Sequence, residues 1–193
     1  MKYAENVTEV GLMLPDYMGF IFWKKSLRFF DGIIPEIPHS IKKTGVFVDA
    51  PIEEIRFKIH KYKLDLVQLH GNETPDLCVR LSNEGIKIIK VFSINNTFNF
   101  DDLQPFKGVC DYFLFDTKGK SPGGNGTKFD WEILQKYKST KPFFLSGGIG
   151  IEDIDSIKKL DLPIHAIDLN SKFETAPGLK DPLLLQQFQT KLR

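Results

Sequence analysis

The feature that most constrains this chain is the regular return of short apolar, β-branched and aromatic runs, with amphipathic helical stretches between most of them. Residues 17–22 read as a strand, followed by 44–48, 64–69, 87–92, 112–115, 142–145 and 164–169. Ile52, Ile55 and Ile59 fall on one face of a helix, as do Ile151, Ile154, Ile157 and Leu160. Helices are also expected over 4–14, 75–84, 129–137 and 182–192, the second of these opened by a cap and first turn at 72–75. Strands that alternate with helices over brief connections predict an α/β fold with a parallel sheet and helical crossovers. No linker, composition break or low-complexity segment divides the chain, so residues 1–193 are expected to form a single domain.

Charge gives no pull toward a polyanion. The 26 Lys and Arg against 25 Asp and Glu leave a net charge of +1, so neither nucleic acid nor an anionic membrane is expected as a partner. The two cysteines, Cys78 in a helical pattern and Cys110 near a strand start, are unclustered. That usage suits a reducing, cytoplasmic setting and argues against a disulfide framework. No apolar run approaches the roughly 20 residues that span a bilayer. The opening residues, Met1 to Asn6, lack the apolar stretch of a secretory signal.

The helix-like segment 4–14 opens the chain with no strand before it. An open doubly wound sheet accepts that start, whereas a closed (β/α)8 barrel would lack its first strand. The placement of polar groups favours the barrel. They follow strand after strand, at Arg28, Asp49, His70, Asp116, Ser146 to Gly150 and Asp168 to Ser171. Barrel active sites gather at that face.

Asp116 stands at the end of a short apolar strand and before a loop with four glycines, Gly119, Gly123, Gly124 and Gly126. A carboxylate so placed suits catalysis under a closing loop, and equally suits the capping of a turn. Ser146-Gly147-Gly148-Ile149-Gly150 follows a strand and opens a helix, a combination that exposes backbone N–H groups to phosphate. Asn170 and Ser171 add side-chain donors after the last strand, where this fold commonly holds phosphate. His70 could orient substrate or shuttle a proton, although a histidine at a strand end is as often a structural hydrogen-bonder. Arg28 could grip a carboxylate or phosphate with two N–H groups, or stand in a solvated basic loop that Phe29 and Phe30 tether. Asp49 is as readily a cap before Pro51 as a substrate contact. Phe22 and Trp23 offer an apolar wall to an aromatic ligand or simply pack in the core. No metal-spaced Cys/His cluster, P-loop lysine, dinucleotide fingerprint or Gly-x-Ser-x-Gly elbow appears. What remains is phosphate-anchored acid–base chemistry on a small molecule, with no metal or other cofactor expected.

The order of these motifs resembles a known family. Gly19-Phe20-Ile21-Phe22 with Lys25-Ser26-Leu27-Arg28, Gln68-Leu69-His70-Gly71, Phe115-Asp116, Leu145-Ser146-Gly147-Gly148 and Asp168-Leu169-Asn170-Ser171 are followed by Glu174, Pro177-Gly178 and Lys180-Asp181. Together they resemble phosphoribosylanthranilate isomerase of tryptophan biosynthesis across nearly the whole chain. The resemblance implies a (β/α)8 TIM barrel and an Amadori rearrangement of N-(5′-phosphoribosyl)anthranilate. It implies Asp116 as the general acid, Arg28 as the holder of the anthranilate moiety, and Gly147, Gly148, Asn170 and Ser171 as the phosphate site. Two departures stand out. The family's first strand ends in a Lys-x-Cys-Gly motif whose Cys is the general base, and this sequence opens on residues that resemble those after it. Strand one is therefore expected to be missing, with the barrel opening, rearranging or covering its edges with a second copy as a homodimer. Proton abstraction is expected to suffer by about 10²–10⁴-fold, since neither Cys78 nor Cys110 fits the role. Lys172 stands where the family usually has Gly, which is expected to alter a backbone angle near the phosphate. A non-catalytic phosphosugar-binding barrel is the alternative reading.

Overall fold

A computed structural model describes residues 1–117 and 130–192. The glycine-rich loop after Asp116 and the start of the expected 129–137 helix lie outside the described residues. Seven strands form one parallel sheet: β1 (Tyr17–Ile21), β2 (Lys42–Phe47), β3 (Leu66–Leu69), β4 (Lys87–Ile94), β5 (Tyr112–Thr117), β6 (Phe143–Leu145) and β7 (Ile164–Ile167). They pair strictly in chain order, with β1 and β7 at the edges. That order has no reversal point, which separates it from a doubly wound sheet. The sheet curls until its edges approach: Tyr17 Oη of β1 and His165 Nε2 of β7 share a 2.7 Å hydrogen bond. This is the (β/α) barrel architecture, with seven strands among the described residues. The backbone nitrogen of Met1 donates to Gly19 O of β1 at 2.5 Å.

Among the described residues five α-helices accompany the strands: α1 (Ala4–Gly11), α2 (Ile52–Tyr62), α3 (Pro75–Ser82), α4 (Ile154–Lys158) and α5 (Pro182–Leu192). Their ends follow local chemistry. In α2 the first turn carries Glu53 and Glu54 and the last His60 and Lys61, each matched to the helix dipole. Lys63 closes it in the left-handed region at φ 50°. In α3 the cap is Thr74, whose hydroxyl accepts from Leu77 N at 3.4 Å, with Pro75 in the first turn.

Strand alternation sorts the apolar residues into two layers. Leu66, Ile89, Val91, Leu114 and Phe144 point inward and fill the barrel. Their neighbours Val67, Ile88, Phe113, Phe115 and Phe143 point outward against Ile55, Leu81, Ile154 and Phe188 of the helices. Full burial of each such side chain contributes about 1.5–3 kcal/mol. A parallel sheet covered on both faces explains why its strands read as nearly unbroken apolar runs.

The structure departs from the sequence reading in several places. β5 continues through Thr117, so Asp116 lies within the strand. β4 continues through Ser93 to Ile94, because Ser93 pairs in register with Asp116. Among the described residues two crossovers contain 3₁₀ segments in place of α-helices, Phe100–Phe106 with Pro105 inside it and Trp131–Lys136. A small antiparallel hairpin, β8 (Glu174–Ala176) and β9 (Leu179–Lys180), turns at Pro177-Gly178, where Gly178 adopts φ 82°. Its strands are too short to show a period-2 pattern.

Candidate active site

Seven of the residues singled out by the sequence, Arg28, His70, Asp116, Gly147, Gly148, Asn170 and Ser171, line one cavity of about 930 Å³. The reason is topological: each follows or ends a parallel strand, and all such ends of a curled parallel sheet meet at one rim.

Asp116 projects inward from β5 with its side chain 7% exposed. Oδ1 accepts from Thr117 N at 2.8 Å, and Oδ2 lies 3.4 Å from His70 Nε2. Among the described residues Nε2 has no hydrogen-bond partner, although it is buried. Gln68 Nε2 lies 3.3 Å from His70 Nδ1. With the Gln68 amide donating there, the imidazole proton sits on Nε2, toward Asp116 and the cavity.

The loop that carries His70 is held from outside the cavity. Glu73, buried, accepts from Asp49 N and Gly71 N, both at 3.0 Å, and from Lys90 Nζ at 2.8 Å. Lys90 Nζ also donates to Gly71 O at 2.7 Å and Leu69 O at 3.3 Å. Asp49 belongs to this framework. It takes φ 49°, and its Oδ1 accepts from Asn72 N at 2.6 Å. A side chain at Gly71 would place Cβ 2.4 Å from Asp49 Oδ1, so glycine is required there. Phe22 likewise packs in the core, stacked on Tyr62 at 5.1 Å, whereas Trp23 lines the cavity.

Across the rim, Gly147 and Gly148 adopt φ 98° and 64°. A Cβ at Gly147 would stand 2.2 Å from Thr117 Oγ1. Successive N–H groups in such a turn make a concavity suited to an anion. The helix expected behind them is a 3₁₀ turn, Ile151–Asp153, followed by only five α-helical residues in α4. The potential expected from a helix N-terminus is therefore small here, and any anion-binding capacity of this segment lies in the loop backbone. Ser171 begins a 3₁₀ turn. Lys172 in that turn is not among the left-handed residues, so its place here does not require glycine, and its Nζ pairs with Glu152 of the other anion loop.

Arg28 reaches the cavity from the connection after β1. Its Nε donates to both oxygens of Glu174, at 3.0 and 2.9 Å, and its Nη2 to Oε2 at 2.7 Å. This engages one edge of the guanidinium fork and leaves the Nη1–Nη2 edge for a ligand. Lys180 Nζ donates to Glu174 Oε1 at 3.2 Å, Asn170 Oδ1 at 2.9 Å and Leu169 O at 3.0 Å. Burial works against the charge on Glu174, but Arg28 and Lys180 outweigh it and hold this carboxyl below the usual range. Burial lowers Lys180, opposed by Glu174 and Asp168. It raises Asp168, a cavity-lining group at the end of β7 that accepts from Ser146 Oγ at 3.1 Å. Asp168 and Lys180 both line the cavity; the sequence placed Asp168 at this face and both residues in the motifs of the resemblance, but assigned neither a role. Lys180 shows no local signal, sitting in a strand of two residues.

The family model for N-(5′-phosphoribosyl)anthranilate (PRA) isomerase matches residues 2–191. The chain belongs to this family. It is 44% identical over 195 residues to the N-(5′-phosphoribosyl)anthranilate isomerase of Parabacteroides distasonis, covering 97% of this chain and 88% of the relative. The crystal structure of phosphoribosyl anthranilate isomerase from Thermotoga maritima matches at TM-score 0.84 and 28% identity, over 100% of this chain and 95% of that one. A structure of the isomerase in complex with reduced 1-(o-carboxyphenylamino)-1-deoxyribulose 5-phosphate matches at TM-score 0.81 and 26% identity, over 100% and 94%. The barrel is thus that of PRA isomerases. Neither cysteine of this family member lines the cavity. Both are buried, and burial pushes the Cys78 thiol up to about 11 and the Cys110 thiol up to about 12.

Proposed function

We propose that this chain catalyses the Amadori rearrangement of N-(5′-phosphoribosyl)anthranilate to 1-(2-carboxyphenylamino)-1-deoxyribulose 5-phosphate, a step of tryptophan biosynthesis. One observation carries the reading: an inward carboxyl, Asp116, shares a single cavity with the glycine loop of Gly147 and Gly148 and with the open edge of Arg28. Those three features match a sugar, its 5′-phosphate and an aromatic carboxylate. A relative of the same fold carries the reduced product analogue named above.

In this reading the phosphate sits on Gly147, Gly148, Asn170 and Ser171, and the anthranilate carboxylate on Arg28. Asp116 gives its proton to the ribose ring oxygen, the C1′–O4′ bond breaks, and a Schiff base forms. Transfer of the C2′ proton to the carboxylate that Asp116 has become then yields an enolamine, which tautomerises to the keto product. His70 Nε2–H lies beside Asp116 and offers a hydrogen bond to the sugar. Neither Cys78 nor Cys110 can take the C2′ proton, being outside the cavity and held protonated. That last observation also favours a second reading, a phosphosugar-binding barrel without turnover.

The test is the loss of anthranilate-type fluorescence when purified chain meets phosphoribosylanthranilate generated in situ. Turnover supports the isomerase. Binding of the reduced product analogue without turnover supports the binding barrel. Absence of both rejects the two readings together.

A further inference from the structure

Between the two ends of the proposed substrate site lies a carboxylate that does not line the cavity. Glu174, on β8, has a side chain only 4% exposed. Its oxygens accept from Arg28 Nε and Nη2, from Gly178 N at 3.2 Å, and from Lys180 Nζ at 3.2 Å. Arg28 lies 146 positions away in sequence and serves the anthranilate end. Lys180 in turn holds Asn170 Oδ1 at 2.9 Å, which leaves the Asn170 amide N–H groups for the phosphate end. One buried carboxylate therefore fixes a donor at each end of the cavity.

We propose that Glu174 is a positioning residue that couples the two ends of the site, aiming the open edge of Arg28 at an aromatic carboxylate and, through Lys180, setting Asn170 against a phosphate. The names of the two ligands rest on the isomerase reading; the geometry does not. The physical argument is one of order. A long arginine side chain with one edge clamped presents its other edge already oriented. Without the clamp, the ligand itself must order it, and affinity falls. Without Glu174, Lys180 loses its ion pair and is left with Leu169 O, Asn170 Oδ1 and the more distant charge of Asp168 to place it beside Asn170, a looser hold.

The experiment measures binding of two separate probes, anthranilate and inorganic phosphate, to the native chain, to Glu174→Gln and to Lys180→Met. Thermal unfolding of each serves as the folding control. Glu174→Gln is expected to weaken both probes about tenfold, and to raise KM for phosphoribosylanthranilate far more than it lowers kcat. Lys180→Met is expected to weaken phosphate alone. Unchanged binding in Glu174→Gln, loss of anthranilate only, or a fall in kcat that merely follows a fall in Tm overturns the coupling. Should Glu174→Gln fail to fold, Lys180→Met decides: phosphate weakened with anthranilate spared supports the coupling, and any other pattern rejects it. A native chain that binds neither probe also rejects it. Failure of the isomerase reading looks different: the probe pattern holds, but no variant, native included, turns substrate over.

Discussion

Two buried lysine–glutamate pairs flank the mouth of this barrel and differ in what they leave unused. On the β3–β4 side, Lys90 and Glu73 spend their donors and acceptors on each other and on the backbone of 49 and 69–71, and neither lines the cavity. On the β8–β9 side, Glu174 is equally satisfied, but its two cationic partners, Arg28 and Lys180, both line the cavity, and Arg28 bonds Glu174 through one edge of its guanidinium alone. The chemistry is alike and the outcome is not. A network that closes on itself fixes a loop; a network that stops one donor short of closure presents that donor to a ligand. This is why burial alone identifies neither pair as functional.

The sharpest way to break the comparison is at the group both sides serve. Asp116→Asn should lower kcat by about 10²–10⁴-fold while the product analogue still binds, measured by the fluorescence assay and by titration. A variant within a few-fold of native would remove Asp116 from the chemistry. Next, Lys90→Met strands the Glu73 charge and should cost about 3–5 kcal/mol in chemical denaturation, with much of it restored by adding Glu73→Gln. If the single change instead weakened anthranilate or phosphate binding with stability intact, the closed network would have to be counted as part of the site.

Asp168→Asn asks about the open side. Burial holds this carboxyl above the usual value of 3.8, so the folded state keeps its proton to higher pH than the unfolded chain does. That stabilisation is complete below the unfolded value and is lost as pH rises through the folded one. At neutral pH the ionised carboxylate therefore costs stability. The variant should melt a few degrees higher than native at pH 7, and the difference should vanish near pH 3; the opposite trend would mean that Lys180 already compensates the charge. The smallest effect is at the cysteines. With thiols pushed up to about 11 and about 12 by burial, neither Cys78 nor Cys110 should react with a thiol reagent at pH 8 until the protein unfolds. Rapid labelling that abolished turnover would bring a thiol back into the mechanism.

Much of the site was legible because a parallel barrel turns one-dimensional information into a place. Asp116, His70 and Gly147 needed only the rule that residues at successive strand ends meet at one rim. Asp49 obeyed the same pattern and still went elsewhere, since its φ of 49° turns it to cap Asn72. The helix read at 151–159 is real, but its first turn is 3₁₀, so the potential expected from it shrinks to that of the glycine loop.

The sequence by itself determined the alternation of strand and helix and the candidates at the rim, because these depend on spacings of two to four residues along the chain. Only the tertiary structure decided which candidates acquired partners. The bond between Arg28 and Glu174 spans 146 residues, and that between Asn6 and Lys180 spans 174. Contacts of that range follow from the sheet curling until its first and last strands approach, and no local pattern of residues records where that closure brings two side chains together.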